Sequence, residues 1–400
     1  MDELLPDPRP RLTTGRRRVA RAAGPVLTTV VAFLVSGIAV VVVGKSPATV
    51  YRAIFDGSGL AFFFHFGSHS IHVPFTQAHV WFWWNTSSAA ASNLQQTLLE
   101  TTPIICTGLA LAFALRCGLF NIGGQGQYLV GSYFAVWVGS SFVQLTPVLH
   151  VTFCLVAGAV CGGLYAALAG LLKATVGAHE VITTIMLNWT AVWVGSYLFG
   201  EGGPLQNGSQ AAIPVSNDIA AGAKLPVFWG LQILQGLSVG IFVALAMLVV
   251  YWLVINRTTL GFEVRAVGAS VEAARYAGMS VARSTVLAMA ISGMFAGLGG
   301  ALDVTGWEYR IGQVDVSANQ IGFIGLAAAL LGRGSALGVG AGALLFGALI
   351  NGTSGRQLDP SVFDPQLAGD LATIIQGLVI LFVGLNLPAV VGALRRRRSS

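Results

Sequence analysis

Apolar stretches long enough to cross a bilayer recur along the 400-residue chain, and they restrict its fold more than any other feature. A transmembrane helix needs about 20 mainly apolar residues. Such stretches lie near residues 26–44, 99–116, 127–144, 148–172, 181–200, 229–255, 284–302, 321–332, 335–352 and 370–392. Only 10% of the residues are charged and 51 are glycine. The sequence therefore predicts an all-α polytopic membrane protein of about ten closely packed transmembrane helices.

The positions of the basic residues predict the orientation of this bundle. If all ten stretches are spans, the 22 Lys and Arg residues fall on one side, except for Lys45, Arg52, Lys224, Arg310 and Arg356. Because cytoplasmic loops carry an excess of Lys and Arg, we expect a membrane protein with both termini in the cytoplasm. Residues 1–25 and 393–400 are then basic cytoplasmic tails, predicted to contact anionic membrane lipid and not nucleic acid.

A long segment at residues 45–98 is predicted to be external, and it is rich in aromatic residues. It contains Phe62-Phe63-Phe64 and Trp81-Phe82-Trp83-Trp84, a density of rings typical of the lipid headgroup region. Four of the six histidines also fall here: His65, His69, His72 and His79. The first three have the spacing of one helix face, but only Asp56 could add a carboxylate ligand nearby. We therefore favour an interfacial loop over a metal site.

Catalytic chemistry is not indicated by the sequence. The acidic residues considered are predicted at span ends or in an external loop: Glu180, Asp303, Glu308, Asp315 and Asp370. No carboxylate is placed firmly within a span, where ion-coupled carriers usually have one. Gly44-Lys45-Ser46 lacks the upstream glycine of a phosphate-binding loop. We therefore predict a transport subunit that is not an enzyme and has no metal or cofactor, so any ATP hydrolysis would belong to a partner.

Two segments outside the apolar stretches carry more specific patterns. Residues 118–127, GLFNIGGQGQ, contain four glycines, which predicts either a broken helix that meets a polar ligand or a turn capped by Asn121. Residues 257–283 carry four arginines and two glutamates, and Val271 to Ala277 has good helix propensity. That segment suits docking to a cytoplasmic partner, although an ordinary solvated loop is the alternative.

Three motifs in this order resemble the permease family of ABC importers for nucleosides, simple sugars and branched-chain amino acids. They are GLFNIGGQGQ at 118–127, EVITTIMLNW at 180–189 and RAVG…AARYAGM at 265–279. The second motif is similar to that of the nucleoside and simple-sugar branch. The chain departs from the family pattern at Gln125, often Glu, and at Ser270, often Asn. The family pattern does not account for residues 60–84.

The resemblance implies a membrane-spanning permease subunit of an ATP-driven importer for nucleosides or related simple sugars, in a bacterial plasma (inner) membrane. Residues 26–392 would be its transmembrane permease domain. Implied partners are a second permease subunit of different sequence, cytoplasmic ATP-binding subunits and an external substrate-binding lipoprotein. The ATP-binding subunits would contact the coupling loop at 256–283. The residues assigned to this coupling are Glu263, Arg265, Gly268, Glu272, Arg275 and Gly278. A branched-chain amino acid permease, or a stand-alone secondary carrier or channel, is the alternative.

The two halves of the chain also match each other weakly. Aligning 108–131 with 325–348 pairs glycine with glycine and arginine with arginine, as at Arg116 and Arg333, which predicts a parallel internal repeat. Interrupted helices at matching positions indicate a transport path. The residues assigned to that path are Asn121, Gln125, Gln127, Asn188, Trp189, Asn319 and Gln320. For Asn188, a hydrogen bond between helices is the alternative.

Overall fold

The computed structural model describes residues 29–353, except for 39, 43, 45, 65, 73–78, 211 and 231–235, together with 373, 374, 377, 378 and 381. The chain divides into two compact units. One comprises Met1–Pro47 with Thr373–Ser400, and the other comprises Ala48–Ala372. The predicted tails at 1–25 and 393–400 lie outside the described residues, as does most of the predicted span 370–392.

Helices account for most of the described chain. The first unit contains α1 (Thr29–Val42). The helices that follow are α2 (Pro47–Gly57), α3 (Ala89–Arg116), α4 (Gly124–Ser141), α5 (Pro147–Val176), α6 (Glu180–Phe199), α7 (Gly240–Arg257), α8 (Thr259–Ala269), α9 (Val271–Tyr276), α10 (Val281–Asp303), α11 (Gln313–Ala318), α12 (Ile321–Leu331) and α13 (Ala336–Gly352). A π-helical turn, Val304–Glu308, extends α10.

Six helical segments in the described part of the chain are long and apolar enough to cross a membrane. They are Ala89–Arg116, Pro147–Val176, Glu180–Phe199, Gly240–Arg257, Val281–Glu308 and Gln313–Leu331. The prediction of a polytopic helical membrane protein is thereby confirmed, whereas the count of about ten spans stays a prediction. The chain is not purely helical, because two small antiparallel sheets are present. In these, β1 (Phe66–His72) pairs with β2 (His79–Trp84), and β3 (Val227–Trp229) pairs with β4 (Leu237–Ser238).

The start of α3 differs from the prediction. The helix begins at Ala89, inside the segment assigned to an external loop, because Ser88 caps it by accepting a hydrogen bond from Ala91 N at 3.1 Å. Its first turns are too polar for a hydropathy pattern to include. The bundle satisfies those polar groups: Asn351 Nδ2 of α13 donates to Asn93 O at 2.7 Å and to Thr97 Oγ1 at 3.1 Å. Helix α7 likewise begins at Gly240 and not near 229, because β3 and β4 occupy the residues before it.

Glycines bring α4, α5 and α10 into direct backbone contact at the centre of the second unit. A Cβ atom added to Gly131 of α4 would lie 2.3 Å from the carbonyl oxygen of Gly297 in α10. One added to Gly297 would lie 2.3 Å from the carbonyl oxygen of Gly158 in α5. Only a hydrogen atom fits at these crossings, as is typical of membrane helices. The close packing predicted from the glycine content is therefore confirmed.

Helix α4 begins inside the bundle and not at its end. After α3 ends at Arg116, the chain reverses at Gly118, whose φ of 74° favours glycine. It then returns to Asn121, which donates to Ser292 Oγ at 2.7 Å. Ser292 is in the middle of α10 and itself donates to Ala110 O at 2.6 Å. Of the two structures that its composition allowed, the glycine-rich segment is therefore the break, which re-enters the bundle. Gly123 and not Asn121 is the N-cap residue of α4.

Candidate functional site

The first turns of α4 and α12 meet inside the bundle, and Gln125 joins them. A Cβ atom added to Gly322 of α12 would lie 2.3 Å from Gln125 Cα, so the two backbones touch. Gln125 Oε1 accepts a hydrogen bond from Gly322 N at 2.8 Å, and Gln125 Nε2 donates to Asn319 O at 2.8 Å. A carboxylate could accept the first bond but could not donate the second. This geometry gives a reason for an amide at a position that the family often fills with Glu.

Asn121 and Gln127 form a closed pair that holds the re-entrant segment. Asn121 Nδ2 donates to Gln127 Oε1 at 2.9 Å, and Gln127 Nε2 donates to Asn121 Oδ1 at 3.0 Å. Asn121 Oδ1 also accepts from Gly123 N at 2.9 Å, just before α4 begins. Both side chains are buried. Their amide groups satisfy one another and the neighbouring backbone, so their established contribution is to hold the break in place.

Asn188 ties α6 to the same break. Its Nδ2 donates to Ile122 O at 3.0 Å, and its Oδ1 accepts from Gly126 N at 2.8 Å. The alternative of a hydrogen bond between structural elements is thus the one observed. Trp189, the next residue, is 59% exposed, because consecutive residues of a helix point about 100° apart. The two side chains, which the sequence assigns to one path, therefore face different directions.

The last two residues assigned to the path, Asn319 and Gln320, differ in their burial and hydrogen bonding. Asn319 is half-buried, accepts from Ile321 N at 2.9 Å and donates through Nδ2 to Tyr128 Oη at 3.1 Å. Gln320 is exposed, and its side chain does not cap α12 although it precedes the first residue of that helix. Five of the assigned side chains therefore gather around the two helix starts: Asn121, Gln125, Gln127, Asn188 and Asn319. The side chains of Trp189 and Gln320 are exposed instead.

A buried acidic residue was assigned wrongly from the sequence. Asp303 was placed in an external loop, but α10 runs through it and the side chain is only 1% exposed. Its carboxylate accepts hydrogen bonds from Tyr128 Oη and Trp307 Nε1. One donor comes from α4 and the other from the turn that follows α10. Their hydrogen bonds replace those to water and so allow the carboxylate of Asp303 to be buried.

Two further acids lie within electrostatic range of Asp303. They are Glu100 of α3 and Glu308 at the end of the π-helical turn. The expectation that no carboxylate sits within a span is therefore wrong. Glu100 falls inside the predicted span 99–116, so its position was visible in the sequence. Glu308 was hidden because the apolar stretch ends at residue 302, before the turn that carries it.

A clasp closes the end of the bundle at which α3 stops. Arg116 Nη2 donates to Gly334 O at 2.8 Å, and Tyr251 Oη of α7 donates to the same oxygen at 2.6 Å. Arg116 Nε also donates to Tyr251 Oη at 3.3 Å. Gly334 lies in the tight turn between α12 and α13. The clasp therefore joins the two points at which the chain reverses after a span.

The predicted coupling loop contains two helices, α8 and α9. Helix α9, Val271–Tyr276, confirms the prediction from helix propensity, whereas α8 was not predicted. Ser270 separates them and caps α9 by accepting from Ala273 N at 3.2 Å, a role that serine and asparagine both serve. Gly268 packs directly beneath α3, since a Cβ atom added to it would lie 2.2 Å from Arg116 O.

The other residues assigned to coupling are mostly exposed to solvent. Arg265, Glu272 and Arg275 are exposed, whereas Glu263 is half-buried. Gly278 has a φ of 79°, and nothing lies within 4 Å of a Cβ atom added there. Tyr276, which the sequence did not single out, is 93% exposed. The exposed side chains of α8 and α9 that we call the docking surface, after their predicted role, are Arg265, Glu272, Arg275 and Tyr276.

Metal binding finds no support in the described residues, among which no three His, Cys, Asp or Glu side chains form a group that could hold an ion. The helical spacing considered for the histidines does not apply, because β1 spans Phe66–His72 as a strand, and His65 lies outside the described residues.

Comparison with known proteins agrees with the motifs. A family model described as "Branched-chain amino acid transport system / permease component" matches residues 93–384. A guanosine ABC transporter permease protein of Bacillus subtilis (strain 168) is 37% identical over 316 residues, covering 78% of this chain and 88% of that protein. The glucose ABC transporter permease protein of Haloferax volcanii is 32% identical over 366 residues, covering 90% and 86%. Another guanosine ABC transporter permease protein of Bacillus subtilis is 26% identical over 255 residues, covering 63% and 78%.

Proposed function

This chain belongs to the family of branched-chain amino acid transport system permease components, and from that premise we propose that it forms the nucleoside path of an ATP-driven importer. The resemblance drawn from the motifs at 118–127, 180–189 and 265–279 is confirmed by the family match. Nucleosides are proposed as the substrate because the guanosine permease protein is more similar to this chain than the glucose permease protein, at 37% against 32% identity. The EVITTIMLNW motif supports the nucleoside and simple-sugar branch over a branched-chain amino acid permease, and does not separate nucleosides from sugars.

One observation carries the proposal: α8, the helix that carries Arg265 of the docking surface, directly contacts the chain where α3 ends and the broken segment begins. Gly268 precedes Ser270, the cap of α9, by two residues and lies against Arg116, after which the chain re-enters the bundle. A rigid movement of α8 and α9 would therefore displace the start of the re-entrant segment. Such rigid-body displacement at an interface is one of the common switching movements of proteins. ATP-binding subunits that close on the docking surface could thus open and close a path inside the bundle.

The same contact supports the orientation that we propose. The end of the bundle at Arg116, with α8 and α9, faces the cytoplasm, in keeping with the excess of Lys and Arg on that side. The protein then has about ten spans in a bacterial plasma membrane, with both termini in the cytoplasm. The Asp303 end, with Glu100 and Glu308, faces outward, where a substrate-binding lipoprotein would deliver the solute.

A second permease subunit completes the path in this proposal. Bacillus subtilis has two guanosine ABC transporter permease proteins that resemble this chain to different degrees. Two such proteins in one organism support a pair of unlike subunits. The path would run between them and past the helix starts held by Gln125 and Asn188.

An internal repeat would explain why α3 and α12 end in the same way. Helices α3 and α12 both end at a reversal that includes a glycine with positive φ, Gly118 at 74° and Gly334 at 61°. Arg116 and Arg333, which the repeat makes equivalent, lie next to these reversals. We therefore retain a parallel internal repeat as part of the proposal.

Competition for uptake tests the substrate. Cells or vesicles that contain the assembled importer would take up labelled guanosine in the presence of excess unlabelled adenosine, ribose, glucose or leucine. We expect adenosine alone to compete strongly. Competition by ribose or glucose would identify a sugar permease, and competition by leucine would identify a branched-chain amino acid permease; either result would contradict the proposed substrate.

A further inference from the structure

The external hairpin formed by β1 and β2 has a composition unsuited to water. No Asp, Glu, Lys or Arg lies between Gly57 and Leu99, whereas about a quarter of the residues of a soluble domain are charged. Aromatic residues take their place. A segment without charged residues avoids the large free-energy cost of removing charges from water. It can therefore lie in partly apolar surroundings.

The hairpin is fixed at the end of a membrane-spanning helix. Trp84, the last residue of β2, donates through Nε1 to Phe63 O at 3.0 Å, and its ring centroid lies 6.3 Å from that of Phe62. Phe62 is buried against Ala91 and Leu94 in the first turns of α3. These contacts hold the base of the hairpin against the first turns of α3, at the end of that helix opposite Arg116.

Several rings of this region face away from the protein. Phe64, Phe66, Trp81 and Trp83 are 72%, 73%, 57% and 63% exposed. The rings of Trp81 and Trp83 lie next to each other, with centroids 4.8 Å apart. Exposed apolar patches of this kind mark interaction sites, and Trp is enriched where a bilayer meets water.

We propose that the β1–β2 hairpin is an interfacial anchor whose exposed rings insert among the lipid headgroups beside α3. Lipid is the occupant that the observations favour, because the rings lie at the end of a span. A docking site for a soluble protein would instead carry a polar, charged rim. The anchor is independent of the proposed substrate, and it would hold the outer end of α3 at a constant depth while other helices move.

Depth measurement by spin labelling tests this proposal on the full chain in lipid nanodiscs. The four native cysteines, which are free, would first be replaced by alanine. A label would then be placed by Trp83→Cys, by Glu201→Cys in an exposed loop, or by Leu168→Cys on the exposed apolar face of α5. Collisions with oxygen report exposure to lipid, and collisions with a water-soluble nickel complex report exposure to water.

We expect the label at position 83 to give a depth between those of the two controls, with several-fold fewer nickel collisions than the label at position 201. Nickel collisions as frequent as at position 201 would overturn the proposal. Protection that arises only after an external binding protein is added would also overturn it, since the surface would then be a protein docking site. To check that the substitution itself has not moved the hairpin, the fluorescence of the unsubstituted protein would be quenched with lipids brominated near the headgroup. Trp81→Phe/Trp83→Phe should lose part of that quenching, and unchanged quenching would contradict the anchor.

Discussion

Gly268 of α8 lies against the carbonyl oxygen of Arg116, the last residue of α3, so closely that a side chain cannot be added between them. Arg116 is held in turn by the clasp with Gly334 and Tyr251. The docking surface, the end of α3 and the turn between α12 and α13 therefore form one connected structure. A partner that moves α8 must move or strain the others.

Gly268→Val tests this contact. The new side chain would overlap Arg116 O, and overpacking of this kind typically costs about 1–3 kcal/mol. We expect a lower thermal unfolding temperature and loss of uptake. For the same reason, no substitution at Gly268 tests docking separately from packing. Ala269→Val, at the exposed neighbouring position, should leave both measurements unchanged; equal stability of the two variants would show that the contact is not tight.

Arg275→Glu tests the docking surface without disturbing packing. The side chain is exposed, so the folded protein should keep its thermal unfolding temperature. We expect loss of copurification with the ATP-binding subunits, because charge reversal at an interface opposes association. Arg310→Glu, exposed near the opposite end of the bundle, is the matched control. Normal copurification of Arg275→Glu would mean that the partner binds elsewhere.

Gln125→Ala tests the junction of the two helix starts. The substitution leaves Asn319 O and Gly322 N without their partners inside the protein, and each buried polar group left unsatisfied costs about 1–3 kcal/mol. We expect a marked fall in unfolding temperature in detergent and in uptake. Gln320→Ala removes an exposed amide and should change stability by no more than about 0.5 kcal/mol. If the two variants unfold alike, Gln125 does not hold the junction.

Asn188→Ala and Trp189→Ala test two adjacent residues that the sequence assigns to the same substrate path. Asn188 bonds to both sides of the break, so its loss should reduce stability and uptake together. Trp189 faces outward from α6, so Trp189→Ala should leave the affinity for guanosine unchanged. A rise in the KM for guanosine uptake with Trp189→Ala, without loss of stability, would restore this ring to the substrate path.

The sequence predicted those features that depend on local composition. Hydropathy located most of the spans, glycine density located the break after Gly118, and helix propensity located α9. It did not predict which amides bind substrate and which hold the fold, because partners such as Asn121 and Ser292 are far apart in the chain. Asp303 was misplaced for a related reason. Polar residues end an apolar stretch in a hydropathy pattern, although hydrogen bonds from Tyr128 and Trp307 allow the helix to continue.

Helix geometry explains the other disagreement. Asn188 and Trp189 are adjacent in the sequence, and a flat ring beside an amide would suit a nucleoside. Consecutive positions on a helix nevertheless point about 100° apart, so one residue turns into the bundle and the other turns away. Only the packing of α6 against the break decides which of the two is inside.

In the proposed function, an ATP-binding partner drives transport through this chain. Uptake of labelled guanosine tests this in two matched strains, one intact and one in which the partner carries an inactive ATP site. We expect accumulation to be lost in the second strain while this permease remains in the membrane at a normal level. Accumulation that persists there, and that collapses when the ion gradient is dissipated, would show that the protein is a secondary carrier and not part of an ATP-driven importer.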